Sequence, residues 1–243
     1  GQNFSKPFEV KFADKDNVEH FAWQTSWGVS WRLIGAMIMA HGDDKGLVLP
    51  PKVAPMQIVI VPIYRNEEGK NSVLPKVEEI QNKLELNNIR IHVDDREGLS
   101  PGYKFNDWEL KGVPLRIEIG PKDIENQKIV VAKRYNLEKI DLSFEEIEKI
   151  PLILDEIQVE MLKKAKEQAQ NNTLEITDYL EFKSKIEKGG FFNSPWCGKL
   201  ECEDKIKEET GAEIRVIPFN SEDNTKECIY CKEPSTSIPI FAR

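Results

Sequence analysis

Four cysteines constrain this chain more than any other feature. Cys197, Cys202, Cys228 and Cys231 are its only cysteines, spaced as Cys-x4-Cys, twenty-five residues, then Cys-x2-Cys. Two thiol pairs separated by a loop are the usual way to surround a tetrahedral zinc ion, and four thiolates leave no open position for water. The opening Gly1-Gln2-Asn3-Phe4 has no basic start followed by an apolar stretch. It does not read as a signal peptide and is expected to begin within a domain. Without a secretory signal, disulfides are the less favoured use of these thiols, and metal binding leads over four free thiols.

The rest of the composition is that of an ordinary folded chain. Its 243 residues are 40% hydrophobic and 31% charged, enough apolar material for more than one core. No apolar run approaches the ~20 residues that span a bilayer, so no membrane partner is expected; the longest, residues 56–63, suits a buried strand. A net charge of −8 argues against non-specific nucleic-acid binding. Residues 101–134 nevertheless hold seven basic and five acidic side chains, a local excess of +2. On charge alone that is ordinary scatter.

Periodicity divides the chain in three. Residues 8–12 and 19–25 read as strands around an Asp14-Lys15-Asp16-Asn17 turn. Residues 30–41 read as a short helix, apolar on nearly all sides and so expected to be buried. Gly42, Pro50, Pro51 and Pro55 mark a boundary. Then follow a strand at 56–63, an amphipathic helix at 72–87 built on Val73, Val77, Ile80 and Leu84, and a strand at 89–93. A helix at 101–111 and strands at 113–119 and 128–132 come next. A long helix spans 143–170, with Ser143 and Glu146 at capping-box spacing and Pro151 expected to kink or split it. This is an α/β unit with a mixed sheet. Asn171-Asn172-Thr173 breaks the pattern. Helices near 178–188 and 202–210 and short strands near 213–217 and 238–241 complete a small third unit. The expected domains are 1–55, 56–171 and 172–243.

Two further constellations carry chemistry. In Thr25-Ser26-Trp27-Gly28-Val29-Ser30-Trp31-Arg32, Trp27, Ser30 and Arg32 fall at near-alternating positions, and an arginine leaving a strand edge can meet a phosphate with its planar fork. On spacing alone, Arg32 paired with a carboxylate and Trp27 in a core is the simpler reading. The second is the helix of Phe105, Trp108 and Glu109 with Arg116 and Lys122 after it. Phe105 and Glu109, four apart, share a helix face. Aromatics stack unpaired RNA bases; a carboxylate accepts from guanine's ring N–H and amino group; arginine and lysine donate to O6 and N7. On pattern alone, a surface helix with Phe105 in a core and Glu109 in solvent is the simpler reading. Trp108 is expected to pack inside.

The strings Thr25-Ser26-Trp27-Gly28, Arg32-Leu33-Ile34-Gly35 and His41-Gly42-Asp43-Asp44-Lys45-Gly46 closely resemble motif 3 of the prolyl-tRNA synthetases, in their archaeal/eukaryotic-like form, and its exit. The resemblance runs over essentially the whole chain. It implies the end of a class II catalytic domain, a mixed-sheet α/β anticodon-binding domain and a small α/β zinc-binding C-terminal domain. Arg32 matches the motif 3 arginine at the ATP phosphates, the catalytic position, and Ser30 a position at the nucleotide. Ser26 and Trp27 match the proline pocket. Trp31 departs from the commoner threonine or serine and takes no role. Phe105, Glu109, Arg116 and Lys122 match the anticodon-reading region, and proline anticodons share two guanines. The four cysteines match a structural zinc site. The terminus, Ile238 to Arg243, resembles the family's but lacks its final tyrosine.

The parent enzyme so implied is cytoplasmic and homodimeric. It activates proline with ATP and magnesium and charges proline tRNA. Motifs 1 and 2 are expected upstream, so this chain alone is expected to be inactive. The alternatives are a stand-alone tRNA-binding module, which has no use for Trp27, Ser30 and Arg32, and a zinc-stabilised protein-interaction domain.

Overall fold

The computed structural model describes residues 1–222 and 225–243. Strands β1 (Lys11–Ala13) and β2 (Glu19–Phe21) form an antiparallel hairpin. Asp14 closes its turn by accepting from the N–H groups of Asp16 and Val18. Both strands are shorter than periodicity predicts. β2 stops at Phe21, and the exposed residues after it pair with no strand among the described residues. Helix α1 spans Arg32–His41.

The central layer comprises β3 (Ile58–Pro62), α2 (Glu67–Glu85), β4 (Ile91–Val93), α3 (Pro101–Leu110), β5 (Leu115–Ile119), α4 (Pro121–Glu125), β6 (Lys128–Lys133), β7 (Lys139–Ser143) and α5 (Ile150–Asn171). The sheet order is β4-β3-β5-β6-β7. β3 runs parallel to β4 and β5, and the β5–β6 and β6–β7 pairs are antiparallel. It is a mixed sheet, as expected.

Strand alternation sends Ile58, Ile60, Leu115, Ile117 and Ile119 to one face, where Val77, Ile80, Leu84, Ile157 and Met161 of α2 and α5 complete the main core. On the other face, Val59 and Val61 pack against Trp108 of α3 and Val113. Because α3 covers that face, all five residues of β5 are buried, the charged pair Arg116 and Glu118 included.

Local chemistry sets the boundaries. α2 starts at Glu67, before its apolar period begins, because the Asn66 side chain accepts from the Gly69 N–H at 2.9 Å and Glu67 and Glu68 suit a helix start. The capping box forms, with the Ser143 N–H donating to Glu146 at 3.1 Å. It heads a 3-10 turn, Phe144–Lys149, so the long helix is split. Pro151 lies in the first turn of α5, where its missing N–H leaves no bond unmade. Gly112 turns the chain from α3 into β5 at φ +73°, and a Cβ there would lie 2.6 Å from the Leu47 carbonyl.

β8 (Thr173–Glu175), α6 (Tyr179–Ile186), β9 (Phe191–Asn193), α7 (Leu200–Thr210), β10 (Glu213–Val216) and β11 (Ile240–Ala242) follow. Their sheet order is β10-β11-β9-β8. Phe182, with rings of Phe192 and Phe241 edge-on at 5.7 and 5.5 Å, centres a second, separate core.

One expectation fails outright. No residue of α1 is buried. Among the described residues its neighbour is α5, beside its last turn, where Met39 and His41 face Met161 and Lys164. Leu33, Ile34 and Ile38 stay exposed. No described helix is long and apolar enough to cross a membrane.

Candidate nucleic-acid interface and metal centre

Helix α3 begins where the Ser100 hydroxyl accepts from the Tyr103 N–H at 3.3 Å, with Pro101 in its first turn. Asp94 fixes its orientation. This fully buried carboxylate accepts from Trp108 Nε1 at 2.7 Å and from Arg96 Nε and Nη2 at 2.9 and 2.8 Å. Burial pushes the Asp94 carboxyl up, but these donors and nearby Lys104 hold it well below the usual carboxylate range. With Trp108 drawn inward, Phe105 and Glu109 turn toward β5.

There they meet Arg116. Its guanidinium carbon lies 4.3 Å from the Phe105 ring centroid. Nη1 donates to Glu109 Oε1 at 3.1 Å and to the Phe105 carbonyl at 3.4 Å. Nε and Nη2 donate to Glu118 Oε1 at 3.1 and 2.9 Å. Lys139 of β7 also reaches Glu118, at 2.9 and 3.1 Å. Trp108, Glu109, Arg116, Ala132, Arg134 and Lys139 line a cleft of about 200 Å³.

Phe105, Glu109 and Arg116 thus come together, and Lys122 does not join them. Lys122 sits in α4, in a second cleft with Tyr64, Arg65 and Asn66. The basic excess over residues 101–134 is largely internal, since Lys104, Arg116 and Arg134 are buried and ion-paired. Sequence reasoning missed Glu118 and Lys139. The alternation Leu115-Arg116-Ile117-Glu118-Ile119 was the available signal, because it places both charges on one face.

Ser26, Trp27, Ser30 and Arg32 are all exposed, Trp27 at 96%. The Arg32 N–H donates to Ser30 Oγ at 3.3 Å and the Leu33 N–H to the Ser30 carbonyl at 3.1 Å.

The cysteines converge. Cys197 precedes α7, Cys202 lies in its first turns, and Cys228 and Cys231 flank a turn in which the Lys232 N–H donates to the Cys228 carbonyl. The four sulfurs lie within 4.8 Å of one another, with Cys197–Cys202 at 3.5 Å and Cys231–Cys197 at 3.7 Å. Zinc–sulfur bonds of about 2.3 Å in a tetrahedron require sulfur separations of about 3.8 Å, so the set fits such an ion. Burial pushes the Cys228 thiol up, and backbone N–H groups of Cys231, Tyr230 and Cys197 bring it below its ordinary value.

Residues 57–152 match the anticodon binding domain, and residues 179–243 match the C-terminal domain of prolyl-tRNA synthetase. The chain is 54% identical to a proline–tRNA ligase of Cenarchaeum symbiosum, over 100% of its own length and 51% of the relative's. It is 46% identical to that of Porphyromonas gingivalis, over 100% and 50%. The crystal structure of a prolyl-tRNA synthetase from Cryptosporidium parvum, complexed with L-proline and AMP, superposes with a TM-score of 0.89 at 38% identity, over 100% of this chain and 51% of that one. The fold and these matches therefore define a chain built around an anticodon-binding domain. It belongs to the prolyl-tRNA synthetase family. The chain spans about half the length of the curated relatives it matches.

Proposed function

We propose that this chain is the tRNA-reading part of a proline–tRNA ligase that activates proline with ATP and transfers it to proline tRNA in the cytoplasm. The observation that carries this reading is the convergence of Phe105 and Glu109 on the Arg116 guanidinium, within residues that match an anticodon binding domain. Glu109 Oε2 has no recorded partner among the described residues and is available to guanine's N–H groups. Phe105 is half-buried, and its exposed part is the aromatic surface on which a base would stack. Lys122, in its own cleft, suits a second base or a phosphate.

Residues 1–55 are the end of the catalytic domain in this reading. Ser26 and Trp27 serve the proline pocket, and Ser30 and Arg32 serve ATP, with magnesium, once the remainder of that domain covers α1. The apolar exposed surface of α1 supports this. Residues 172–243 are a zinc-bearing domain in which Cys197, Cys202, Cys228 and Cys231 hold the ion, and the full enzyme works as a homodimer.

The test is binding of a proline-tRNA anticodon stem-loop beside one with both anticodon guanines replaced by adenines. Guanine reading predicts a loss of about 1–3 kcal/mol per replaced base, part of it reproduced by Glu109→Ala. Equal binding to the two loops would remove Phe105 and Glu109 from the interface.

A further inference from the structure

The cleft contains a charge arrangement that the family resemblance does not explain. A guanidinium has five N–H donors. Four of those of Arg116 are already engaged, by Glu118, Glu109 and the Phe105 carbonyl. Arg116 is also buried. It has little left to give a base. Lys139 has three donors, two of them on Glu118, and its side chain is 51% exposed.

Sheet register explains how the two cations share one carboxylate. Val59, Arg116, Ala132 and Lys139 form one row across β3, β5, β6 and β7. Members of a row point to the same face. The residue between Arg116 and Lys139 is Ala132, whose methyl group is small enough for the lysine to cross it to Glu118. The Lys139 ammonium then lies 5.6 Å from the Phe105 ring centroid, at the open side of the cleft.

We propose that Glu118 is the positioning residue of this site and that Lys139 is the cation that meets the RNA. Glu118 neutralises Arg116, so Arg116 can stack on Phe105 while taking only one oxygen of Glu109. Without the Glu118 charge, Arg116 draws in both Glu109 oxygens and the acceptor for guanine is lost. Glu118 also presents Lys139 beside the stacking ring, where its free donor and net charge suit a phosphate or a guanine O6. The inference rests on the anticodon reading above and adds two residues to it.

The experiment measures affinity of the chain for the same two stem-loops across a salt series, with thermal unfolding to verify folding. Glu118→Gln removes charge at nearly constant size. It is expected to reduce discrimination between the loops by about 5-fold to 150-fold, the worth of one bidentate base contact, and Glu118→Asp should restore part of it. Lys139→Gln sits at the exposed rim and should leave folding unchanged. It is expected to weaken both loops alike and lower the salt slope by about 1, with Lys139→Arg restoring both. If the unmodified chain binds both loops equally, the anticodon reading falls and this inference with it. If the unmodified chain discriminates, then a folded Glu118→Gln variant that discriminates equally well overturns the positioning role. Unchanged affinity and salt slope for Lys139→Gln overturn the contact role.

Discussion

Arg134 and Asp43, 91 residues apart in the chain, meet in two parallel hydrogen bonds of 2.7 and 2.5 Å. Arg134 also donates from Nε to the Glu109 carbonyl at 2.9 Å. One guanidinium therefore ties the turn after α1 to the last turn of α3. Backbone bonds from Leu47 to the Leu110 carbonyl and from Leu49 to the Gly112 carbonyl run alongside it. The segment that leaves the first 42 residues is in this way fastened to the helix that carries Phe105 and Glu109.

Asp43→Ala should lower stability by about 1–2 kcal/mol, because it leaves two N–H groups of a buried guanidinium without their acceptor. The Arg134 side chain is 1% exposed and that of Asp43 42%, so the bond's own strength is partly screened. Arg134 beside it holds the Asp43 carboxyl at about 2, below its ordinary 3.8. A depressed carboxyl stabilises fully above about pH 4 and loses its contribution as pH falls toward about 2. Urea midpoints of the two proteins should differ at neutral pH and converge over that acid window. A constant difference would assign the effect to packing instead.

Much of this fold was legible in the sequence, and each miss has a physical cause. The period of Val73, Val77, Ile80 and Leu84 marked the buried face of α2, while its polar first turn, capped by Asn66, lies outside any apolar pattern. β7 went unread because only Leu142 of its five residues is buried. Arg116 was singled out as a contact residue by its type, yet Glu118 two positions on decides what Arg116 can do. That relation depends on the pairing of β5 with β6 and β7, and tertiary register is invisible to local pattern.

Helix α1 misled for the opposite reason: its apolar residues describe a burial that the described residues do not provide. Trp27→Ala and Arg32→Ala should therefore each change the unfolding free energy of this chain by no more than about 0.5 kcal/mol, as exposed substitutions do. In a full-length ligase the same two changes should abolish most proline activation. A large destabilisation of this chain by either change would show that the segment packs in solution.

Phe182 offers the contrast. It is fully buried, edge-on to both Phe192 and Phe241, and stacked 6.1 Å from Tyr179. Phe182→Ala should cost about 3–5 kcal/mol by lost burial and cavity formation. The loss should appear in the transition of the C-terminal core, with the core around β3 and β5 unchanged, since the two clusters are separate. Hydrogen exchange resolves the two.

The four-cysteine cluster should prove equally local. Cys228 is fully buried, and Trp196, also buried, sits beside Cys197 with its Nε1 donating to the Lys199 carbonyl at 3.2 Å. Removing a zinc ion would leave four close sulfurs with no charge to hold them together, and the turns carrying Cys197 and Cys228 would open. Zinc-finger peptides gain about 10–16 kcal/mol from their ion. The loss here should be well below that range, because Phe182, Phe192 and Phe241 also bury one another in the same core. Chelation, or Cys228→Ser, should release one zinc per chain, shift Trp196 emission to the red and lower the midpoint of the C-terminal transition alone. Four thiols equally reactive before and after chelation, with unchanged unfolding, would mean that the cluster is four free cysteines brought together by the core.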